Sequence, residues 1–227
     1  LKAALFNALG FGLVSKSTGC EAMILHGSTY GELRELILYR PYDKATIWEH
    51  AAVMGIAGRL GVPVFLWECM GLNPTYVNVL QQQWSQDDIS TITNAYPDHE
   101  DIQGPAGINV AESISSFIPV RSTLFTTEFH MSPVLRHQAR RLGTAVHQAG
   151  WLESGMLTPD VLARFPYMEH PENIALTVMF ARSLGCEADF ALREMADRLV
   201  PDLGVLKTYP ASTIRTRCLE FSNGMSA

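Results

Sequence analysis

Short apolar or β-branched segments alternate along this chain with longer segments in which apolar residues recur every three to four positions. The short segments cover residues 62–67, 89–93, 122–127 and 217–221. The segments with helical periodicity cover residues 46–60, 74–86, 107–117, 132–142, 171–184 and 188–199. Strands that alternate with helices in this way build βαβ units. We therefore predict an α/β fold with a mostly parallel central sheet and helices on both faces.

Length and charge limit the class of protein. With 227 residues and 47% apolar side chains, a single compact domain over residues 1–227 would bury roughly 70% of its unfolded surface. No window approaches the ~20 uninterrupted apolar residues of a membrane span. The net charge is −6 and Lys and Arg form no cluster, which argues against nucleic-acid binding. The four cysteines are scattered, so we expect a reducing cytoplasm rather than a disulfide framework or a zinc site.

One segment, residues 26–45, departs from the alternating pattern. It contains His26-Gly27-Ser28-Thr29-Tyr30 and Arg40-Pro41-Tyr42-Asp43, and such clusters of small and polar residues favour turns. We expect this segment to leave the sheet as an excursion or a small flap.

Polar groups follow two successive predicted strands. The first strand ends on Glu68, and the second leads into Asn94 and then His99. Ligands of open parallel sheets collect beyond the carboxyl ends of the strands. If the two strands are neighbours, these three side chains lie on one rim, where we expect the site. From position alone, a solvated or salt-bridged Glu68 is an equal alternative.

The residue types at this rim suit a magnesium nucleotide. Mg²⁺ prefers hard oxygen ligands, and one carboxylate is a normal protein contribution, which Glu68 provides. Asp98 would orient the imidazole of His99. The amides of Asn94 and Asn173 each present a donor and an acceptor that match the edge of adenine. A structural histidine and an ordinary helix-start asparagine remain the alternatives for His99 and Asn173.

The segments around these residues resemble the central ATP-binding domain of the Mur ligase superfamily, and most closely the poly-γ-glutamate synthase (capsule-type) ligase subunit. The resemblance rests on Glu68-Cys69-Met70-Gly71-Leu72-Asn73-Pro74 followed by Asn94-x-x-x-Asp98-His99. It extends, with gaps, from Ser15-Lys16-Ser17-Thr18-Gly19 through His170-Pro171-Glu172-Asn173 to Phe221-Ser222-Asn223-Gly224. It therefore covers most of the chain.

The resemblance implies further roles for individual residues. His99 matches the histidine that helps to hold a second magnesium near the acyl phosphate. Lys16, Ser17 and Thr18 match an element that faces the γ-phosphate of ATP and the acyl substrate, although a polar turn without a ligand is an equal reading. Asn223 matches a position that touches the ribose.

The activity implied by the resemblance is an ATP- and Mg²⁺-dependent ligation of a carboxylate to an amine through an acyl phosphate. The implied substrate is glutamate or a poly-γ-glutamate-like acidic polymer. Two alternatives stay open. A folylpolyglutamate-synthase-like ligase normally carries a lysine that residues 110–117 lack, and a catalytically inactive Mur-like scaffold would bind a partner protein instead.

The two ends of the sequence favour a larger ligase. The helix predicted over residues 1–10 has no capping residue ahead of it, and a turn signal at Asn223-Gly224 follows the last predicted strand. We expect a phosphate-binding loop upstream and a C-terminal domain downstream. We expect small-molecule partners in the cytoplasm and no nucleic acid. Membrane-associated synthase subunits, reached through regions outside this chain, and a second copy of the chain are further candidate partners.

Overall fold

The computed structural model divides the chain into two compact units. The large unit comprises residues 6–148, and the small unit comprises residues 1–5 together with 149–227. The structure describes residues 1–2, 4–5, 13–16, 23–27, 33–37, 46–62, 64–69, 73–150, 153, 155, 157–199, 201, 207–214 and 217–223. The expectation of a single domain over the whole chain stays a prediction.

The large unit contains a mixed four-stranded sheet, which we call the mixed sheet. Its strands are β1 (Leu13–Lys16), β2 (Met23–Gly27), β3 (Leu33–Ile37) and β4 (Phe65–Trp67), in the order β3-β2-β1-β4. The pairs β1–β2 and β2–β3 are antiparallel, whereas β1 and β4 are parallel. The expectation that residues 26–45 leave the sheet is therefore wrong for β3 and for the end of β2.

The second sheet of the large unit, which we call the parallel sheet, is parallel throughout. Its strands are β5 (Ile89–Ile92), β6 (Thr123–Thr126) and β7 (Ala145–Gln148), in that order. Parallel neighbours need a crossover between them. The crossover from β5 to β6 contains α3 (Glu100–Gln103), α4 (Gly107–Ile114) and a 3₁₀ turn (Ser115–Phe117), and the crossover from β6 to β7 is α5 (Ser132–Leu142).

Two described helices lie between β3 and the parallel sheet. The first is α1 (Ile47–Leu60), which ends at Gly61 in the left-handed conformation, φ 60°, where a glycine carries no steric penalty. The second is α2 (Pro74–Asn78), which continues without a break into a π-helical segment, Val79–Ser85. The side chain of Asn73 caps α2 by accepting a 2.9 Å hydrogen bond from the amide of Thr75.

An apolar core joins the parallel sheet to its crossover helices. Ile92 and Leu124 from the strands pack with Leu135 and Ala139 from α5, and all four are at most 5% exposed. A second cluster beside it joins Ala95, just beyond β5, to Val110 and Ala111 of α4. The buried faces of α4 and α5 therefore fix the level at which the strands end.

The small unit is built from helices and a hairpin. The helices whose bounds are described are α6 (Pro159–Leu162), α7 (Pro171–Ser183) and α8 (Ala188–Arg198), and residues 2, 4, 5, 153 and 155 are also helical. The hairpin joins β8 (Lys207–Ile214) to β9 (Arg217–Asn223) in antiparallel register. Among the helices that the structure describes, none is long and apolar enough to cross a membrane.

The α/β class and the long helices predicted from periodicity are confirmed. The segment predicted at 132–142 is α5, and those at 171–184 and 188–199 are α7 and α8. The strand predicted at 217–221 exists as β9, but it pairs antiparallel with β8 and does not join a parallel sheet. The predicted short segments did not include β1, β2, β3, β7 or β8.

Candidate functional site

Glu68 lies directly beyond β4, at the carboxyl edge of the mixed sheet, and its side chain is exposed. The parallel register pairs Ser15 with Trp67. Ser15 is followed by Lys16, the last residue of β1, and Trp67 is followed by Glu68, directly beyond β4. The backbones of Lys16 and Glu68 therefore lie at the same edge of the mixed sheet. The sequence predicted both residues for the site.

Asn94 and His99 lie on one loop, residues 93–99, which follows β5 at the carboxyl edge of the parallel sheet. Asn94 is exposed, and its Oδ1 accepts a 3.2 Å hydrogen bond from the amide of Tyr96. This local bond is the Asx-turn geometry that asparagine favours in loops. It fixes the start of the loop and leaves the amide group of Asn94 at the surface.

His99 stands at the end of the same loop in a left-handed conformation, φ 48° and ψ 49°. Non-glycine residues adopt this region uncommonly. Its amide donates a 2.8 Å hydrogen bond to Oδ1 of Asp98, and its Nε2 lies 3.7 Å from Oδ2 of the same carboxylate. The imidazole is half exposed, so Asp98 contacts it as the sequence predicted and one side remains open to solvent.

Sequence reasoning missed Glu128, which lies two residues beyond β6 at the same edge as Asn94. It is only 4% exposed. Its Oε2 accepts a 2.6 Å hydrogen bond from the amide of Ala95, and its Oε1 accepts a 2.7 Å bond from the amide of Met131. An acidic residue directly after an apolar strand, the same signal that singled out Glu68, could have found it.

A polar network continues from Glu128 to β7. Gln148 donates a 2.9 Å hydrogen bond from Nε2 to the backbone oxygen of Glu128, while its Oε1 accepts from Arg136 at 2.9 Å and from Ser132 at 3.2 Å. The Nε of Arg136 also donates to Ser132 at 3.1 Å. The ends of β6 and β7 and the first turn of α5 are thereby tied together at one edge.

The two strands that lead to the predicted site residues, β4 and β5, belong to different described sheets of the large unit. Among the described strands, β4 pairs with β1 and β5 pairs with β6. Each of the two is an edge strand of its sheet, so the described pairings do not test the expectation that β4 and β5 are neighbours, which stays a prediction. Placing Glu68 beside Asn94 and His99 on one rim stays a prediction.

A buried histidine packs behind the end of β4. His50 of α1 is 1% exposed, and its ring meets Trp67 edge-on at 5.0 Å between centroids. Burial lowers the pKa of His50 to about 4, and the nearby Glu49 charge acts in the opposite direction. The imidazole is therefore neutral at physiological pH.

In the small unit, Asn173 lies in the first turn of α7 and is half-buried. Its Nδ2 donates a 2.9 Å hydrogen bond to Oε1 of Glu169, which also accepts from the amide of His170 at 2.9 Å. The other carboxylate oxygen of Glu169 accepts from the hydroxyl of Tyr167. Burial, and then this contact with Glu169, raise the pKa of Tyr167, so the phenol stays protonated and keeps donating. Glu169 therefore fixes the orientation of the Asn173 amide.

Of the remaining predicted site residues, Lys16 and Asn223 belong to described strands, whereas Ser17 and Thr18 do not. Asn223 is the last residue of β9 in the small unit, where its backbone pairs with Lys207. Ser17 and Thr18 lie outside the described residues. The backbone of Lys16 is described as the end of β1.

The described residues contain no group of three or more His, Cys, Asp or Glu side chains that could hold a metal on their own. Mg²⁺ usually keeps several waters and takes one or two carboxylates together with substrate phosphates. Glu68 is exposed and the imidazole of His99 is half exposed, and their roles as metal ligands stay predictions.

Comparison with known proteins supplies a fold and a relative. No family model matches the chain. The structure of E. coli FolC in complex with DHPP and ADP superposes with a TM-score of 0.60 at 15% identity, over 88% of this chain and 53% of that one. The fold is that of the Mur-type ligases. A folylpolyglutamate synthase/dihydrofolate synthase from Yersinia pestis, complexed with AMPPNP and Mn ion, gives a TM-score of 0.59 over the same share of each chain.

A curated relative is similar in sequence as well. "PGA synthase CapB" of Bacillus subtilis is 28% identical over 201 residues, which is 88% of this chain and 49% of the relative. The chain therefore spans about half the length of this relative. The resemblance to the poly-γ-glutamate type of Mur-like ligase, predicted from the motifs, is confirmed.

Proposed function

We propose that this chain is part of an ATP-dependent ligase that joins a carboxylate to an amine through an acyl phosphate. The acceptor and donor are glutamate or a poly-γ-glutamate-like acidic polymer. The observation that carries the proposal is the similarity to a poly-γ-glutamate synthase over 88% of the chain. That stretch includes Glu68 and the loop with Asn94 and His99, which follow strands at the carboxyl edges of their sheets.

The nucleotide of the proposed reaction is ATP with a divalent cation, in keeping with the ADP and AMPPNP–Mn complexes of the two solved structures of the same fold. When bound, the cation neutralises charge on the phosphates and polarises the transferred group. The side chains of Glu68 and His99 contribute ligands to it. Asn94 and Asn173 hydrogen-bond the adenine, and Ser17 and Thr18 lie near the transferred phosphate.

The chemistry proceeds in two displacements. A carboxylate oxygen of the substrate attacks the γ-phosphorus of ATP, the bond from that phosphorus to the β-γ bridging oxygen breaks, and ADP leaves. The amine nitrogen then attacks the carbonyl carbon of the acyl phosphate. Inorganic phosphate leaves with the bonding electrons, and the nitrogen loses a proton to give the amide. Positioning and charge neutralisation supply most of the rate enhancement in such transfers.

Glutamate or its polymer is favoured over a folate as the substrate. Helix α4 and the 3₁₀ turn after it contain no lysine, whereas folylpolyglutamate-synthase-like ligases normally carry one in that stretch. The polymer would reach the site in the cytoplasm. Membrane-associated synthase subunits and a second copy of the chain are the macromolecular partners that we propose to test.

The test uses the chain together with any flanking sequence of its gene. Incubated with Mg-ATP and glutamate or oligo-glutamate, it should release ADP and phosphate in equal amounts with a new amide product, detected by mass spectrometry. A parallel reaction with a pteroate and glutamate distinguishes the folate alternative. If the protein binds ATP but forms no amide, and a cellular protein co-purifies with it stoichiometrically, the result favours the catalytically inactive scaffold over the ligase.

A further inference from the structure

Glu128 is a buried carboxylate at the edge where the site is expected. It follows β6, the central strand of the parallel sheet, and is 4% exposed. Its own amide donates a 3.0 Å hydrogen bond to Oγ1 of the buried Thr126, and its backbone oxygen accepts from Gln148. Two hydrogen bonds of its own backbone, one from the amide and one to the carbonyl oxygen, therefore hold Glu128 in place in addition to the contacts of its side chain.

The partners of this carboxylate are unusual for a buried acid. Burial of an ionised carboxylate is costly unless the charge is paired or hydrogen-bonded. In the described part of the chain, Glu128 has no Lys or Arg within salt-bridge distance. Its two oxygens instead accept from the backbone amides of Ala95 and Met131, at 2.6 and 2.7 Å. Charge-assisted bonds of this length are about twice as strong as neutral ones.

The bond to Ala95 acts on the loop that carries the predicted ligands. Ala95 is 3% exposed and packs against Val110 and Ala111 of α4, whereas Asn94 before it and His99 after it are exposed. The same loop is tied to β6 once more, by a 2.7 Å hydrogen bond from Thr127 to the oxygen of Thr93. The position of Ala95 therefore sets the height at which the exposed part of the loop leaves the sheet.

We propose that Glu128 is a positioning residue for the site, because its carboxylate clamps the loop from Thr93 to His99 onto the ends of β6 and α5. The proposal rests on the proposed function in one respect, that Asn94 and His99 bind nucleotide and metal. In this proposal the carboxylate contacts only the amides of Ala95 and Met131 and binds neither substrate nor metal itself. It acts through the backbone amide of Ala95.

The substitutions follow from the two acceptor bonds. Glu128→Gln keeps the size of the side chain but replaces one acceptor oxygen with an NH₂ group, so the amides of Ala95 and Met131 can no longer both be accepted. Glu128→Ala removes both acceptors. The matched control is Thr144→Val at the opposite, amino edge of the parallel sheet. Thr144 is 7% exposed, and its hydroxyl accepts from the amide of Ser122 and donates to the oxygen of Pro119.

Two measurements separate positioning from a merely structural role. The first is amide hydrogen exchange of the ligand-free protein, in which Ala95 should exchange at least tenfold faster in Glu128→Ala than in the wild type. The second is the Mg²⁺ concentration that half-saturates ATP turnover, which should rise at least tenfold in Glu128→Gln. Thr144→Val should lose a comparable part of its stability to urea while changing neither quantity.

Unchanged exchange at Ala95, or a magnesium requirement that rises no more than in Thr144→Val, overturns the proposal. If Glu128→Ala does not fold, exchange is measured at Ala95 and Met131 in Glu128→Gln, where at least one of the two amides should lose protection. If the wild-type protein neither binds nor turns over Mg-ATP, the proposed function is lost. In that case the amide hydrogen-exchange rate of Ala95 alone tests whether Glu128 holds the loop in place.

Discussion

The indole N–H of Trp67 donates a 2.8 Å hydrogen bond to Oδ1 of Asp87. Trp67 is the last residue of β4, and Asp87 precedes the first residue of β5. The bond therefore links the last residue of β4 to the segment that leads into β5. Burial raises the pKa of Asp87, and the bonds from Trp67, Ser85 and Gln81 oppose that shift.

His50, whose ring meets that of Trp67 edge-on, gives rise to a predicted pH dependence of stability. Its pKa is 6.5 in the unfolded chain and about 4 in the folded protein. Between these values the unfolded chain binds the extra proton, so the free energy of unfolding decreases as the pH falls from 6.5 towards 4. The loss at pH 5 should be on the order of 2 kcal/mol.

Urea denaturation at pH 7.5 and pH 5 measures this loss. His50→Gln keeps a polar side chain that does not titrate, so the loss between the two pH values should shrink by most of that amount. His137→Ala, at an exposed position of α5, is the control and should lose as much as the wild type. Equal losses in all three proteins would contradict the assignment.

Glu68→Ala should weaken the magnesium dependence of ATP binding more than it weakens folding. The side chain is exposed beyond β4, so its removal costs little packing, whereas a metal ligand would be lost. Calorimetric titration of Mg-ATP into both proteins measures the effect. Glu112→Ala, an exposed acid on α4, removes the same charge elsewhere. Equal Mg-ATP affinity in the wild type and Glu68→Ala would remove Glu68 from the metal site.

His99→Ala should lower the rate of amide formation at least tenfold, which corresponds to about 1.4 kcal/mol of transition-state stabilisation. The imidazole is half exposed and contacts Asp98 at 3.7 Å, a surface pair that contributes little to stability. The melting temperature should therefore change little. A large loss of melting temperature with normal activity per folded molecule would point to a structural histidine.

Glu169→Ala should reduce the preference of the protein for ATP over GTP, because Glu169 holds the Nδ2 of Asn173 at 2.9 Å. Without that contact the amide is free to rotate and no longer presents a fixed edge to the base. Tyr167→Phe removes only the hydroxyl that donates to Glu169 and should keep the preference. Competition binding with the two nucleotides measures the ratio of the affinities for ATP and GTP. An unchanged ratio in Glu169→Ala would exclude Asn173 as the residue that recognises the adenine base.

The sequence by itself determined the helices and the residues at the ends of the strands. The period of apolar residues specified α5, α7 and α8 closely, because burial of one helix face demands that period. It also specified β5 and β6, and it placed Glu68 directly beyond β4 and both Asn94 and His99 on the segment that follows β5. These are local properties, which the side chains of neighbouring residues encode.

Only the tertiary structure decided which strands are neighbours and which polar groups meet. Apolar runs of similar composition fit many sheet positions, so the pairing of β4 with β1, and of β9 with β8, is set by packing and connectivity. The same holds for Glu128, whose partners Ala95 and Met131 are backbone amides brought to it by other elements. A backbone amide carries no side-chain signal, and the fold alone brings it within reach of a carboxylate.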